Sequence, residues 1–184
     1  MRSRDEIKAF LKQMQRFNGN MVDRALAFAE FAHDGQTDKA GQAYIQHPTR
    51  VAQKTGMLFD SDFLVAAAYM HDVIEDGNFT ASDLSAFFPK VVWATVELLT
   101  RRKSEDRGDY IKNIGNNLLA TQVKIADLED NMDISRIPFP TDKDYERQSR
   151  YIDEYKYLKT RLDEMVSTMT EDERDPEIYC EYFM

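Results

Sequence analysis

The sequence predicts an all-α fold, and three observations support that prediction. Apolar residues recur at the spacing of amphipathic helices along most of the 184-residue chain. Glycine and proline are scarce, at 7 and 5 residues, and they fall mainly between the periodic segments. No stretch alternates in the way that a β-strand requires. We therefore expect residues 1–184 to form one domain of roughly eight to ten helices.

Local start and stop signals divide the first half of the chain into helices. The first spans Ser3 to Phe17, before the turn signal Asn18-Gly19-Asn20. The second carries an apolar stripe from Val22 to His33 and stops at Asp34-Gly35. His47-Pro48 opens the third, because proline suits the first helical turn.

The fourth predicted helix is apolar on nearly every side. It begins at a cap formed by Ser61 or Asp62, includes the apolar stretch Phe63 to Met70 and ends near Asp76. A helix without a polar face is a buried helix. The stretch is too short to cross a bilayer, so we expect it in the core of the domain and expect no membrane association.

The second half of the chain is predicted to contain five more helices. They cover residues 80–88, 89–100, 106–117, 118–132 and 142–169. Pro138 and Pro140 separate the last two of these. The acidic tail, residues 170–184, is expected to fray.

Charge and cysteine content exclude several classes of function. The net charge of −9 repels polyanions, so a nucleic acid polymer is not expected as a partner. A small phosphorylated ligand remains compatible, because a metal ion and a few cations reverse the local field. The single cysteine, Cys180, and the lack of a signal peptide predict a cytoplasmic protein.

A cluster of ionisable residues at the end of the fourth helix indicates a metal site. His71 and Asp72 follow its apolar stretch, and Glu75 and Asp76 come one turn later. These carboxylates and the imidazole are unfavourable together unless a positive charge lies among them. A hydrogen bond between neighbouring side chains is the alternative for His71 and Asp72 alone.

Two further residues complete the predicted ligand set. His33 ends the apolar stripe of the second helix, although an imidazole at a helix end is also a partner for the helix dipole. Asp127 lies in a mostly apolar run and needs a counterion. A metal ion could supply the positive charge, and Lys124, one turn earlier, is the alternative. Two imidazoles with two carboxylates suit manganese, iron or zinc.

Three motifs follow one another in this order along the chain. They are His33-Asp34-Gly35-Gln36 with Gly41, Tyr44-Ile45 and His47-Pro48; His71-Asp72-Val73-Ile74-Glu75-Asp76; and Lys124-Ile125-Ala126-Asp127 with Asn131-Met132. Together they resemble the (p)ppGpp hydrolase domains of the RelA/SpoT type, over roughly residues 20–160. Three motifs in register are specific, whereas a lone His-Asp pair is not.

The resemblance implies an HD-domain helical bundle and a particular chemistry. A divalent metal, Mn²⁺ by preference, would be bound by four residues, namely His33, His71, Asp72 and Asp127. Glu75 and Asp76 match the pair that orients and deprotonates the attacking water in that family. The implied reaction removes a 3′-pyrophosphate or a 3′-phosphate from a nucleotide, so the implied enzyme is a metal-dependent phosphohydrolase acting on an alarmone of the stringent response.

Four residues are predicted to contact the nucleotide. Lys39 matches a loop of the family, and Tyr110 falls where the family places an element that faces the nucleotide. Lys124 and Asn131 accompany Asp127, although Asn131 is also suited to cap its helix. His47 is expected to be mainly structural, because it starts a helix beside Pro48.

Three positions depart from the family pattern and concern recognition of the base. Asp38 and Leu128 stand where the family usually has arginine, and Ile134 stands where threonine is common. We therefore expect the metal chemistry to be retained, with guanine or adenine left open as the preferred base. There are two alternatives to an alarmone hydrolase. One is another nucleotidase or phosphatase, such as an NADPH 2′-phosphatase, and the other is a non-catalytic metal-bound signalling module. The oligomeric state is left open.

Overall fold

A computed structural model of the protein describes residues 2–183, with side chains as far as Glu181. The helices of this part of the chain are α1 Arg4–Met14, α2 Met21–His33, α3 Gln46–Phe59, α4 Asp62–Met70, α5 Ala81–Ser85, α6 Lys90–Leu99, α7 Arg107–Ile114, α8 Leu118–Asn131, α9 Asp142–Thr168 and α10 Pro176–Phe183. Short 3₁₀ turns cover Ile134–Arg136 and Asp172–Arg174. The only β feature among the described residues is an isolated bridge between Thr37 and Ala43. The predicted all-α fold is confirmed.

Local caps explain where several helices begin. Ser3 and Glu6 form a capping box at the start of α1. The side chain of Ser61 accepts a hydrogen bond from the Leu64 amide, which identifies Ser61 as the cap of α4. Asn117 does the same for α8 through the Ala120 amide. Each side chain satisfies an amide that a helix start leaves without an internal partner.

Helix α4 is the centre of the domain. It packs against α2, α3, α6 and α8, and α8 also packs against α3 and α9. Its buried residues include Ala66, Ala67 and Ala68, whose small side chains allow neighbouring helices to approach closely. The ends of α2, α3 and α4 and the middle of α8 are thereby brought together.

The prediction that α4 extends to Asp76 was wrong, because regular helix ends at Met70 and turns follow. The His71 Nδ1 atom lies 2.7 Å from the Ala68 carbonyl oxygen, which a continuing helix would use for the amide of Asp72. The Val73 amide instead bonds to the Met70 carbonyl, tightening the backbone. A side chain competing for a backbone carbonyl therefore ends the helix at the site.

The acidic tail was expected to fray, and this was also wrong for its described part. Helix α10 packs against α6, with Tyr179 and Cys180 buried. The Leu118 amide donates a hydrogen bond of 2.9 Å to the Tyr179 hydroxyl. The apolar side chains on one face of this short helix stabilise it against the domain, although the tail is acidic overall.

Among the described residues, no helix is both long enough and apolar enough to cross a bilayer.

Candidate active site

Three histidines and two aspartates converge where α2, α3, α4 and α8 meet. His33 is the last residue of α2, His47 lies in the first turn of α3, and His71 and Asp72 follow α4. Asp127 comes from the third turn of α8. Backbone geometry at four helix segments, rather than one flexible loop, therefore positions the cluster.

The centre of the cluster consists of two imidazoles and two carboxylates. The Nε2 atom of His71 lies 3.1 Å from Asp72 Oδ2 and 3.6 Å from Asp127 Oδ1. The Nε2 atom of His47 lies 3.2 Å from Asp127 Oδ1 and 3.8 Å from Asp72 Oδ2. One ligand atom from each of His47, His71 and Asp127 lies within 4.8 Å of the others, which is the spacing of a metal site.

His33 stands beside this centre. Its ring packs on Tyr44, with ring centroids 4.8 Å apart, and the Tyr44 hydroxyl donates a hydrogen bond of 2.6 Å to Asp72 Oδ2. His33 Nδ1 lies 2.9 Å from Gln36 Oε1. An amide oxygen only accepts, so His33 donates through Nδ1 and keeps the lone pair on Nε2.

The hydrogen bonding of the His33 and His71 rings indicates whether a metal ion fits this cluster. The Nε2 atoms of His33 and His71 are buried, and neither makes a hydrogen bond in the described part of the chain, although His71 Nε2 lies 3.1 Å from Asp72 Oδ2. Their Nδ1 atoms are held by Gln36 and by the Ala68 carbonyl. Metal-bound histidines have this arrangement, because an oxygen acceptor on one nitrogen directs the other to the ion. The donors present therefore fit a divalent metal.

The predicted ligand set is brought together with one addition. His71 contacts both Asp72 and Asp127, and His33 is connected to Asp72 through Tyr44. His47, treated as structural from the sequence, belongs to the innermost group. The signal that could have identified it is Asp130, one turn after Asp127 on a mostly apolar helix, because a second buried carboxylate needs a further cationic partner.

Asp127 has several partners besides the histidines. Lys124 Nζ lies 2.7 Å from its Oδ2 atom, so the counterion considered from the sequence is present. The Asn131 side chain donates to Asp127 Oδ1 at 2.6 Å instead of capping α8. Burial alone raises the pKa of Asp127, but Lys124 and the two nearby histidines lower it well below its usual range. Asp127 is therefore ionised at neutral pH.

Glu75 and Asp76 lie on the turns after α4, at the edge of the cluster. Glu75 Oε2 accepts a hydrogen bond of 3.1 Å from the Arg101 amide. Partial burial raises the pKa of both carboxyl groups, and the Asp72 charge raises each further. A carboxylate with a raised pKa is a stronger proton acceptor, which is the property that a general base needs.

Two adjoining cavities open onto the cluster. The inner chamber, about 220 Å³, is lined by Asp72, Glu75, Asp76, Leu99, Arg101, Arg107, Tyr110, Lys124 and Asp127. The side chamber, about 260 Å³, is lined by residues 37–40, Asp133, Arg136, Ile137 and Arg147. Tyr44, His47, Asn131 and Tyr151 line both. Cationic and anionic side chains therefore both face the inner chamber, which is continuous in its lining with the side chamber.

The predicted substrate-binding residues divide between the chambers. Tyr110, Lys124 and Asn131 line the inner chamber, and the Tyr110 hydroxyl donates a hydrogen bond of 2.5 Å to the Leu99 carbonyl. Lys39 lines the side chamber, where its ammonium lies 3.7 Å from Asp144. Each of the four side chains therefore lines one of the two chambers, and their role in binding stays a prediction.

The departures from the family pattern have different structural roles. Asp38 lines the side chamber, but its Oδ1 atom accepts from the Ala40 and Gln42 amides at 2.9 Å and so shapes the loop. Leu128 is buried in the core at 1% exposure and lines neither chamber. Ile134 begins the 3₁₀ turn, and Ile137 is the isoleucine that lines the side chamber.

We expect the metal-free protein to lose stability as the pH rises from 6.5 to about 9. Burial lowers the pKa of His47, but Asp127 and Asp130 raise it to about 9 from 6.5. The stabilisation by the folded imidazolium is complete below pH 6.5 and is lost through about pH 9, with a limit of about 3 kcal/mol. Urea unfolding in excess chelator measures it, and His47→Gln should flatten this part of the profile. An unchanged profile in that variant would contradict the assignment.

Comparison with known proteins gives a consistent family assignment. The sequence pattern described as "HD domain" matches residues 25–172. The chain is 33% identical over 81 residues to a probable guanosine-3′,5′-bis(diphosphate) 3′-pyrophosphohydrolase of Synechocystis, covering 44% of this chain and 11% of the relative. It is 37% identical over 116 residues to the enzyme of that name from Vibrio cholerae, covering 56% and 16%. For the bifunctional (p)ppGpp synthase/hydrolase SpoT of Escherichia coli K12, the identity is 34% over 121 residues, covering 59% and 17%.

The chain thus spans less than a fifth of the length of each of these relatives. Among solved structures, a metazoan ortholog of SpoT that hydrolyses ppGpp superposes with a TM-score of 0.62 at 23% identity. The superposition covers 82% of this chain and 96% of that one. At this identity the likeness supports the fold, and the argument for activity depends on the site itself.

Proposed function

The chain belongs to the HD domain family, and from this membership we propose that it is a divalent-metal phosphohydrolase acting on a nucleotide. The proposed reaction removes the 3′-pyrophosphate of (p)ppGpp or of its adenine analogue. The observation that carries this proposal is the pair of buried Nε2 atoms on His33 and His71, neither of which makes a hydrogen bond in the described part of the chain. The His71 Nε2 atom lies 3.1 Å from an Asp72 oxygen and 3.6 Å from an Asp127 oxygen. That donor set opens onto a chamber lined by further carboxylates and cations.

The proposed ligands are His33, His71, Asp72 and Asp127, and the proposed ion is Mn²⁺. Mixed imidazole and carboxylate donors suit this borderline-hard cation. The relatives named as (p)ppGpp 3′-pyrophosphohydrolases favour phosphate chemistry. When bound, such an ion lowers the pKa of a coordinated water and neutralises charge on phosphoryl oxygens.

Glu75 is the proposed general base. Its raised pKa and its place on the wall of the inner chamber let it accept a proton from water there. The hydrogen bond from the Arg101 amide fixes one carboxylate oxygen and leaves the other free to accept. Asp76, half-buried next to it, is proposed to orient the water.

Cations in the inner chamber are proposed to hold the phosphate groups. Lys124 lies over the Tyr110 ring at 5.4 Å and is paired with Asp127. Arg107 is fixed by two hydrogen bonds to Glu154, at 2.6 and 2.8 Å, and Arg101 completes the wall. A fixed guanidinium binds an anion without a large loss of side-chain entropy.

The side chamber is proposed to take the nucleoside. It shares Tyr44, His47, Asn131 and Tyr151 with the inner chamber, so a ligand reaching from one to the other passes these residues. Lys39 and Arg147 lie at its walls and are suited to charged groups on the far end of the nucleotide.

A second candidate reaction is removal of a phosphate from a dinucleotide such as NADPH. One observation favours it: a groove of about 890 Å³ begins on the far side of Tyr110, which lines both this groove and the inner chamber. The groove includes Trp93 and several asparagines, and it is large enough for a second nucleotide unit.

Turnover of defined substrates tests the proposed function. Protein treated with chelator and reloaded with Mn²⁺ is incubated separately with ppGpp, ppApp and NADPH, and the release of pyrophosphate and phosphate is measured. We expect pyrophosphate from ppGpp or ppApp, and the ratio of their rates gives the base preference. Phosphate from NADPH alone would support the second candidate. Binding of Mn²⁺ without turnover of any of the three would contradict both.

A further inference from the structure

Asp130 is a buried carboxylate that lines neither chamber. It is 3% exposed and lies one turn after Asp127 on α8. Its oxygens lie 2.8 Å from His47 Nδ1, 2.8 and 3.0 Å from two nitrogens of Arg50, and 3.2 Å from Arg136. These contacts connect α8 to α3 and to the 3₁₀ turn, and they offset the cost of burying the charge.

We propose that Asp130 is a positioning residue of the metal site and that it acts through His47. This inference rests on the proposed function, because it assumes that Asp127 and Asp72 bind the metal. Asp130 fixes the His47 ring through Nδ1, and the opposite nitrogen then faces Asp127 Oδ1 at 3.2 Å and Asp72 Oδ2 at 3.8 Å. One buried contact thereby sets the geometry at two candidate ligands.

Two arginines, Arg50 and Arg136, fix the orientation of the Asp130 carboxylate that bonds to His47. Arg50 occupies Asp130 Oδ1 and contributes a second bond to Oδ2, while Arg136 approaches Oδ2 and also bonds to the Asp130 carbonyl. The carboxylate is therefore held from two sides while it bonds to His47. A ligand partner that is itself fixed holds a metal site more accurately than a free side chain does.

The same network connects the metal site to the side chamber. His47 and Arg136 both line that chamber, and both are held by Asp130. Loss of the Asp130 charge should therefore disturb the metal ligands first and the wall of the side chamber second. Substitution of a residue that only stabilised the fold would change neither the metal ligands nor the chamber wall in the protein that still folds.

Substitution of Asp130 by asparagine tests the proposal. The amide keeps the shape of the side chain but loses its charge and one acceptor oxygen. We expect Mn²⁺ affinity, measured by titration calorimetry, to fall about 10- to 100-fold, and the EPR line shape of bound Mn²⁺ to change. The matched control is Asp83→Asn, since Asp83 also bonds to an arginine, Arg4, at 2.7 and 3.0 Å, but lines neither chamber. Its Mn²⁺ affinity should stay within about twofold of wild type.

A second variant separates positioning from folding. His47→Gln should weaken Mn²⁺ binding by a similar factor, and the double variant should lose little more than either single one, because both act through one contact. If the affinity losses of the two single variants multiply in the double variant, the proposal is overturned. Wild-type Mn²⁺ affinity in Asp130→Asn would also overturn it. If Asp130→Asn fails to fold, wild-type affinity in His47→Gln would overturn it. A wild-type protein that binds no Mn²⁺ overturns the proposed metal site itself.

Discussion

Replacement of His71 by alanine is expected to abolish Mn²⁺ binding and to lower kcat/KM for ppGpp by at least about 10³-fold. The His71 side chain is 3% exposed, and its Nε2 atom lies 3.1 Å from Asp72 and 3.6 Å from Asp127. Its removal takes away a nitrogen donor and leaves two carboxylates without the group between them. The measurements are metal content after dialysis and the rate of pyrophosphate release.

A control two residues earlier in the chain, on α4, distinguishes this effect from general damage. Tyr69→Ala removes a partly buried side chain of α4 that lines neither chamber. It should lower the free energy of unfolding but retain Mn²⁺ binding. Binding at wild-type affinity by His71→Ala would show that His71 is not a ligand and would contradict the proposed set.

Replacement of Glu75 by glutamine is expected to lower kcat by about 10² to 10⁴-fold while Mn²⁺ affinity and KM change little. Glutamine keeps an oxygen that accepts from the Arg101 amide, so the local structure should persist. Because burial raises the pKa of Glu75, the acidic limb of the wild-type pH–rate profile should lie above the ordinary glutamate range. That limb should be lost in the variant.

The exposed glutamate of α2, Glu30, provides the matched control for this substitution. Glu30→Gln makes the same chemical change away from both chambers, and kcat should stay at the wild-type value. An unchanged kcat in Glu75→Gln would exclude Glu75 as the base. Asp76→Asn, measured in parallel, then tests the neighbouring carboxylate, whose pKa is also raised by burial.

The helices were largely predictable because their signals are local. Ser3 with Glu6, Ser61 and Asn117 all act within one turn of their own positions, and the periodic apolar faces need no knowledge of distant residues. The two errors have one kind of cause. The end of α4 depends on how His71 is oriented, and α10 depends on a surface formed by α6, so neither was visible in a local pattern.

Buried charges in apolar runs were the sequence signal for the site. His71, Asp72 and Asp127 stood out because a charge inside a helix core needs a partner wherever the helix packs. In the folded chain His71 lies 3.1 Å from Asp72 and 3.6 Å from Asp127. Whether they bind Mn²⁺, and whether Glu75 is the base, are the points that the two substitutions address.

The sequence by itself determined the helical fold and the residue types available for a metal. Only the tertiary structure decided that His47 joins the innermost group and that Asp130, 83 residues further along the chain, holds it. No periodicity connects positions that far apart, because their contact exists only once α3 packs against α8. The geometry at the candidate metal site therefore comes from packing, and the chemistry available there comes from the local sequence.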